Sequence, residues 1–186
     1  MTDEGMVDLL MDDAKERMKG AVEALDADLS GYRTGRASTA LVERLDIEYY
    51  GTPTPLNQMA TITVPEPRLI AIRVWDTNAV RQVEKGIMAS DLGLTPSVDG
   101  QVVRLPIPAL TEERREELTK LASRRVEEAR VAIRNVRRDV LHHLEDLDLP
   151  EDRLYDLKDD VQEMTDKHIE QADAHGEAKF AEIREV

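Results

Sequence analysis

The chain has no cysteine in its 186 residues. That excludes disulfides and thiolate metal sites and fits a reducing compartment. Aromatic side chains make up only 3% against 41% hydrophobic residues overall, so any core must be mostly aliphatic. Cations are the minority: 25 lysines and arginines face 39 aspartates and glutamates, a formal net charge of −14. A body this acidic repels nucleic acid in general. No apolar run approaches the roughly 20 residues that a membrane span needs. The opening M-T-D-E-G-M-V-D is acidic and carries no apolar signal run. The expectation is a soluble, cytoplasmic protein with no membrane partner.

Catalytic constellations are also missing. Arg33-Thr34-Gly35-Arg36 has a single glycine and no Walker lysine arrangement, and no nucleophile elbow occurs. His142 and His143 are adjacent, so on a helix they point in different directions. His168 and His175 are two turns apart, beyond the i, i+4 spacing of a helical metal pair. His168 falls on an apolar stripe, and pairs such as Asp159-Asp160 read as solvated surface. The reading is of no enzyme: no catalytic residue, no metal and no cofactor.

Against this background stands A-R-V-A-I-R-N-V-R-R at 129–138. Arg130, Arg134 and Arg137 lie at i, i+4 and i+7 and share one helix face, with Arg138 beside them. Guanidiniums hydrogen-bond phosphate in a fixed fork, so the stripe suits a phosphate-bearing partner. A merely solvated helix face is the competing reading. The charge is segregated: residues 1–30 are net −6, 31–110 neutral, 111–145 net +1 and 146–186 net −9. Trp75, Tyr49 and Tyr50 could stack on bases or pack in a core. The arginine helix has no interleaved aromatics, which favours recognition of phosphate and shape over base reading.

Periodicity divides the chain in three. Residues 6–29 place Val7, Met11, Ala14, Met18, Ala21 and Leu25 at alternating spacings of four and three, a bundle seam that Gly20 interrupts and Ser30-Gly31 ends. Seven of the eight prolines fall between 53 and 108. There Leu45–Tyr50, Thr61–Val64, Leu69–Trp75 and Gln101–Leu105 read as strands and Ala79–Ser90 as a helix. Gly51-Thr52-Pro53 and Pro65-Glu66-Pro67 punctuate them. From Thr111 a helical stripe (Leu118, Ala122, Val126, Ala129, Ile133, Val136, Val140, Leu144) runs to about Leu147. Pro150 suits the first position of a third helix, with Leu154, Leu157, Val161, Met164 and His168 on its stripe. The expected fold is α+β: an antiparallel three-helix bundle (1–30 and 106–186) with a small β/α/β module inserted at 31–105. Two chain crossings join them, near Ser30-Gly31 and near Leu105-Pro106. They read as a hinge or as a rigid packed junction.

Five segments in order resemble the bacterial ribosome recycling factor family: R-T-G-R-A-S (33–38), E-Y-Y-G-T-P-T-P-L (48–56), S-D-L-G-L-T-P (90–96), L-T-E-E-R-R (110–115) and V-A-I-R-N-V-R-R-D (131–139). The resemblance runs from about residue 9 to residue 168. It implies an L-shaped pair of domains and a non-catalytic monomer acting on the post-termination ribosome. The implied partners are the large subunit with its 23S rRNA, and elongation factor G with GTP; no DNA and no membrane is implied. It implies that Arg134, Arg137 and Arg138 contact rRNA, with Arg130 added by spacing. It also implies that Arg33 and Arg36 lie at the first crossing and Leu105 and Pro106 at the second. The chain departs from the family pattern in three places. Val140–Pro150 lacks the usual lysines after Arg138-Asp139, Thr39 replaces a common proline, and the tail His175–Val186 is idiosyncratic, with Gly176 expected to weaken its last turns.

Three other readings compete. An acidic helical chaperone or exchange factor explains the charge but not the arginine stripe. An RNA-processing enzyme needs a carboxylate or histidine cluster. A ribosome-binding factor that holds the subunits without splitting them differs from a recycling factor only in a splitting assay.

Overall fold

A computed structural model describes residues 3–185. Met1 and Thr2 of the acidic opening and Val186 of the tail lie outside them. In chain order the elements are α1 (Asp3–Ser30), β1 (Asp46–Tyr49), β2 (Thr52–Pro55), β3 (Ala60–Glu66), β4 (Leu69–Val74), α2 (Val80–Ala89), β5 (Ser97–Asp99), β6 (Val102–Pro106), α3 (Glu112–Glu145) and α4 (Glu151–Arg184). Short 3-10 turns occupy Thr39–Leu41, Leu56–Gln58 and Thr77–Ala79. The long helices form a bundle and the strands a small β module, the expected α+β class. The chain folds as two compact units, one ending at Arg33 and resuming with Glu112–Glu185, the other Thr34–Thr111.

In the first unit α1, α3 and α4 each pack on the other two. All eight apolar positions expected on α3 are buried. On α1, Val7, Ala14, Met18 and Leu25 are buried. Met11 and Ala21 are only half-buried, and Val22 and Leu29 go inside instead. A seam repeating every 3.5 residues drifts by about 20° per heptad on a straight helix. A helix with two neighbours also buries a wider stripe than a heptad seam. On α4 the burial continues through Thr165, His168, Ala172 and Gly176 to Ile183. The two buried polar side chains of α4 are satisfied. Thr165 Oγ1 donates to the Val161 carbonyl at 2.8 Å, and His168 Nδ1 donates to the Met164 carbonyl at 2.7 Å. Gly176 is no weak point. A Cβ there would sit 2.8 Å from Cγ2 of Val126, so the glycine lets α3 and α4 approach closely. Pro150 keeps an extended ψ of 143° and precedes α4 rather than opening it.

Exposed ion pairs tie the helices across their surface. Arg17 meets Asp139 at 3.1 Å, Arg125 pairs with Asp28, and Arg153 grips both oxygens of Glu4. Exposed pairs of this kind add little stability each.

The second unit has its own core, built on Ile47, Leu56, Ile70, Ile72, Val74, Val83, Ile87, Val103 and Leu105. A four-stranded antiparallel sheet runs β3-β4-β6-β5, and β1-β2 is a separate hairpin. Alternation fills the core: in β4, Ile70, Ile72 and Val74 are buried while Arg73 is exposed. Two strands, β2 and β5, have no counterpart in the sequence expectation. β2 reads T-P-T-P, and prolines are tolerated there because β1 is its only partner. Tyr50 and Gly51 both have positive φ (48° and 77°), the geometry of a two-residue hairpin turn. The segment Gly51-Thr52-Pro53 is therefore a turn and the start of a strand, not a break. Leu105 and Pro106 also differ from expectation. Leu105 is fully buried opposite Ile70, and Pro106 pairs with Leu69. The V-V-R-L alternation carries β6 through both residues, and the unit extends to Thr111.

Two glycine substitutions should move stability in opposite directions. Gly176→Ala should destabilise the bundle by about 1–2 kcal/mol, the cost of overpacking a close helix contact. Gly20 is exposed in α1 with open space around its Cβ position. Gly20→Ala should stabilise by about 0.5–1 kcal/mol. Thermal melts followed by circular dichroism check both.

Candidate nucleic-acid interface

The buried stripe of α3 fixes where its arginines stand. Arg134 and Arg138 are exposed, whereas Arg130 and Arg137 flank the seam and are half-buried. Their partners differ in kind. Arg130 is held by carboxylates: Asp173 Oδ1 lies 2.7 Å from Nε and 2.6 Å from Nη2, and Glu127 Oε2 lies 3.0 Å from Nη1. These contacts, Asp173 first and then Glu127, push the guanidinium above its ordinary range. Arg134 meets the other oxygen of Glu127 at 3.4 Å. Arg137 donates to the Gln162 amide oxygen at 3.2 Å, and Arg138 to that of Asn135 at 3.2 Å. Amide oxygens orient a guanidinium without neutralising it. Arg137 and Arg138 thus present largely uncompensated charge, Arg134 is weakly paired, and Arg130 is engaged in holding α3 to α4.

An open recess of about 650 Å³ gathers three of the four: Arg134, Arg137 and Arg138 line it with Asn135, Asp139, Leu141, His142 and Glu145. Arg130 is not among its lining residues. The two acids there are engaged elsewhere. Asp139 meets Arg17 at 3.1 Å, and Glu145 meets Lys158 at 2.6 Å, a contact that lowers the Glu145 carboxyl below its usual range. His142 is the residue that sequence reasoning passes over. Its side chain is 74% exposed, 3.8 Å from Asp146, on the wall of the recess. Its signal is the i, i+4 spacing from Arg138. An open, cationic recess with a single aliphatic wall residue suits an anionic backbone better than a small molecule or a base.

The residues expected at the crossings take separate places. Ser30 is the last residue of α1, its hydroxyl donating to the Asp26 carbonyl at 2.8 Å. Gly31 closes the helix by bonding the Asp28 carbonyl at 3.2 Å. Arg33 ends the first segment of the bundle unit, and Arg36 belongs to the other unit. Gly35 has φ of 78°, and a Cβ there would lie 3.4 Å from Leu110, so the outgoing and returning chains run side by side within the second unit. None of the six residues lines the recess.

The candidate base-stacking aromatics serve the β module. Tyr49 and Tyr50 hydroxyls both donate to Asp76 Oδ2, at 3.0 and 3.1 Å, and their rings meet edge to face at 4.5 Å. Trp75 is 59% exposed and donates its indole N–H to Thr61 at 2.9 Å. Among the described residues, no group of three or more His, Asp or Glu comes together to hold a metal ion, and no helix is long and apolar enough to cross a membrane.

Comparison with known proteins gives concordant matches. A family model described as "Ribosome recycling factor" matches residues 25–183. Ribosome-recycling factors from Thermomicrobium roseum and Erythrobacter litoralis are 49% and 53% identical; the matches cover 97% and 92% of this chain and 100% and 95% of theirs. A solution structure of a ribosome recycling factor is similar with a TM-score of 0.72 and 45% identity, over 97% of this chain and 98% of that one. A second similar structure describes the T. thermophilus factor with E. coli elongation factor G on the E. coli post-termination complex. Its TM-score is 0.59 and its identity 43%, over 95% of this chain and 98% of that one.

The tyrosine pair makes a pH prediction. Hydrogen bonds to Asp76 raise both phenols above the ordinary value of 10.0. Bonds from Asn78 and then Tyr49 lower the Asp76 carboxyl below 3.8. Phenols raised in the folded state contribute stability that is present below pH 10 and lost as pH rises through their folded values. A lowered carboxyl contributes stability that is present above about pH 4 and lost as pH falls through its folded value. Asp76→Asn should let both phenols ionise earlier, read as phenolate absorbance in an alkaline titration, and should shrink the acid-side loss of stability.

Proposed function

The chain belongs to the ribosome recycling factor family, and on that premise we propose that it binds the post-termination ribosome on the large subunit and, with elongation factor G and GTP, promotes splitting into subunits. The observation that carries this reading to particular residues is the recess on α3. There a chain of net charge −14 concentrates Arg134, Arg137 and Arg138 on one open face. We assign these three to rRNA phosphate contact. Arg130, the fourth arginine of the stripe, stands outside the recess, and its pairs with Asp173 and Glu127 make it first a brace between α3 and α4. The acidic remainder restricts binding to targets whose phosphates fit the recess.

No step in this function needs a nucleophile or metal in the chain, because GTP hydrolysis belongs to the partner. What the chain supplies is mechanical. The bundle anchors, and the β module moves on the two chain passages, which we place at 31–36 and 107–111. The second passage lies beyond Leu105 and Pro106, because both belong to β6. A module with its own core can move as a body, and Ile107, at the start of the second passage, stays packed on that core and bonded to the Arg68 carbonyl at 2.8 Å.

Arg134→Ala with Arg137→Ala tests the anchor. A charge-assisted phosphate contact contributes about 1.5–3 kcal/mol. The folded double variant should therefore bind the large subunit at least about tenfold more weakly. The slope of log affinity against log salt should also fall by about one for each phosphate that goes unpaired. Undiminished binding would remove the assignment. Splitting of post-termination ribosomes by the unaltered chain, with elongation factor G and GTP, tests the function. Binding without splitting would favour a factor that only holds the subunits.

A further inference from the structure

Glu127 sits within the arginine stripe and does not belong to the bundle core. It is exposed, three residues before Arg130 and seven before Arg134. Its two oxygens face two guanidiniums: Oε2 lies 3.0 Å from Arg130 Nη1 and Oε1 lies 3.4 Å from Arg134 Nη1. That is how the two anionic oxygens of a phosphodiester would bridge the same pair of arginines. The two partners depend on Glu127 unequally. Arg130 keeps both Asp173 contacts if Glu127 leaves, so the brace to α4 survives. Glu127 is the acid that pairs with Arg134.

We infer that Glu127 is an internal competitor for the anion-binding face: a carboxylate that occupies Arg134 in the free protein and must be displaced by the incoming phosphate. The inference rests on the assignment of Arg134 to phosphate contact. It adds a residue that tunes affinity downward without touching the ligand. In the free chain the carboxylate pairs weakly with Arg134 and competes for it with other anions. In the complex the RNA phosphate takes its place, and Glu127 either retains Arg130 alone or turns to solvent.

The neighbouring acid supplies the control. Glu128 carries the same charge one residue further along and pairs with Arg125 at 3.4 Å, away from Arg130 and Arg134. Glu127→Gln and Glu128→Gln thus change net charge equally. The measurement is equilibrium binding of each folded variant to purified bacterial large ribosomal subunits at fixed salt. Releasing an exposed ion pair should tighten binding by about two- to fivefold for Glu127→Gln, clearly more than for Glu128→Gln. The gain should vanish when Arg134→Ala is also present, which makes the effect a coupling between the two residues. Equal gains from the two glutamine variants, or a Glu127→Gln gain that persists without Arg134, would overturn the inference and leave the arginine face standing. Unchanged binding on Arg134→Ala alone would instead overturn the face assignment on which it rests. Melting curves should show Glu127→Gln as stable as the unaltered chain, because Asp173 still holds Arg130; a marked drop would show Glu127 to be a structural brace and would also overturn the inference.

Discussion

The aliphatic seam shared by α1, α3 and α4 is the constraint from which the rest follows. With almost no aromatics, the bundle depends on many small burials and not on a few large ones, and each is worth about 1.5–3 kcal/mol only if the helices approach closely. At Gly176 the approach is close enough that an added Cβ would sit 2.8 Å from Val126. Once the seam fixes the rotation of α3, the side chains on its far face have no freedom to be anywhere else. The arginine face is the geometric remainder of the core.

Charge is arranged on the same logic. The acidic excess lies mainly on α1 and α4, and the arginines of α3 are distributed between two tasks according to their angle from the seam. Those nearest α1 and α4 are drawn into pairs across the bundle, as Arg125 is with Asp28 and Arg130 with Asp173. Arg137 also reaches across to α4, but its partner there is the Gln162 amide, which leaves its charge uncompensated. An acidic protein can approach a polyanion only along a line where its own carboxylates are absent or engaged, and the recess on α3 meets that condition.

Much of this is legible in the residues, for identifiable reasons. The α3 stripe is unambiguous because eight apolar positions at helical spacing leave no alternative rotation. The stripe of α1, taken as a heptad seam, falls one position adrift at Ala21 and Val22, because a straight helix drifts against a 3.5-residue repeat. β2 is hidden by its prolines, whose meaning depends on being at an edge, and that is a property of the sheet and not of the segment. Pro106 misleads in the same way: a proline at the end of a strand looks like a boundary until the partner strand is known. On α3, the four arginines are visible as spacing. Which of them stays uncompensated is not visible, since that depends on Asp173 and Gln162, 43 and 25 residues away in the chain.

The amide partners of Arg137 and Arg138 have one more consequence. An arginine side chain free in solvent samples many rotamers, and fixing it on a ligand costs up to about 2 kcal/mol of conformational entropy. Gln162 and Asn135 each give one of these two guanidiniums an orienting contact while leaving its charge available. Part of that ordering is therefore complete before any partner arrives. On the proposed reading, a face partly ordered in this way keeps more of each phosphate contact as affinity.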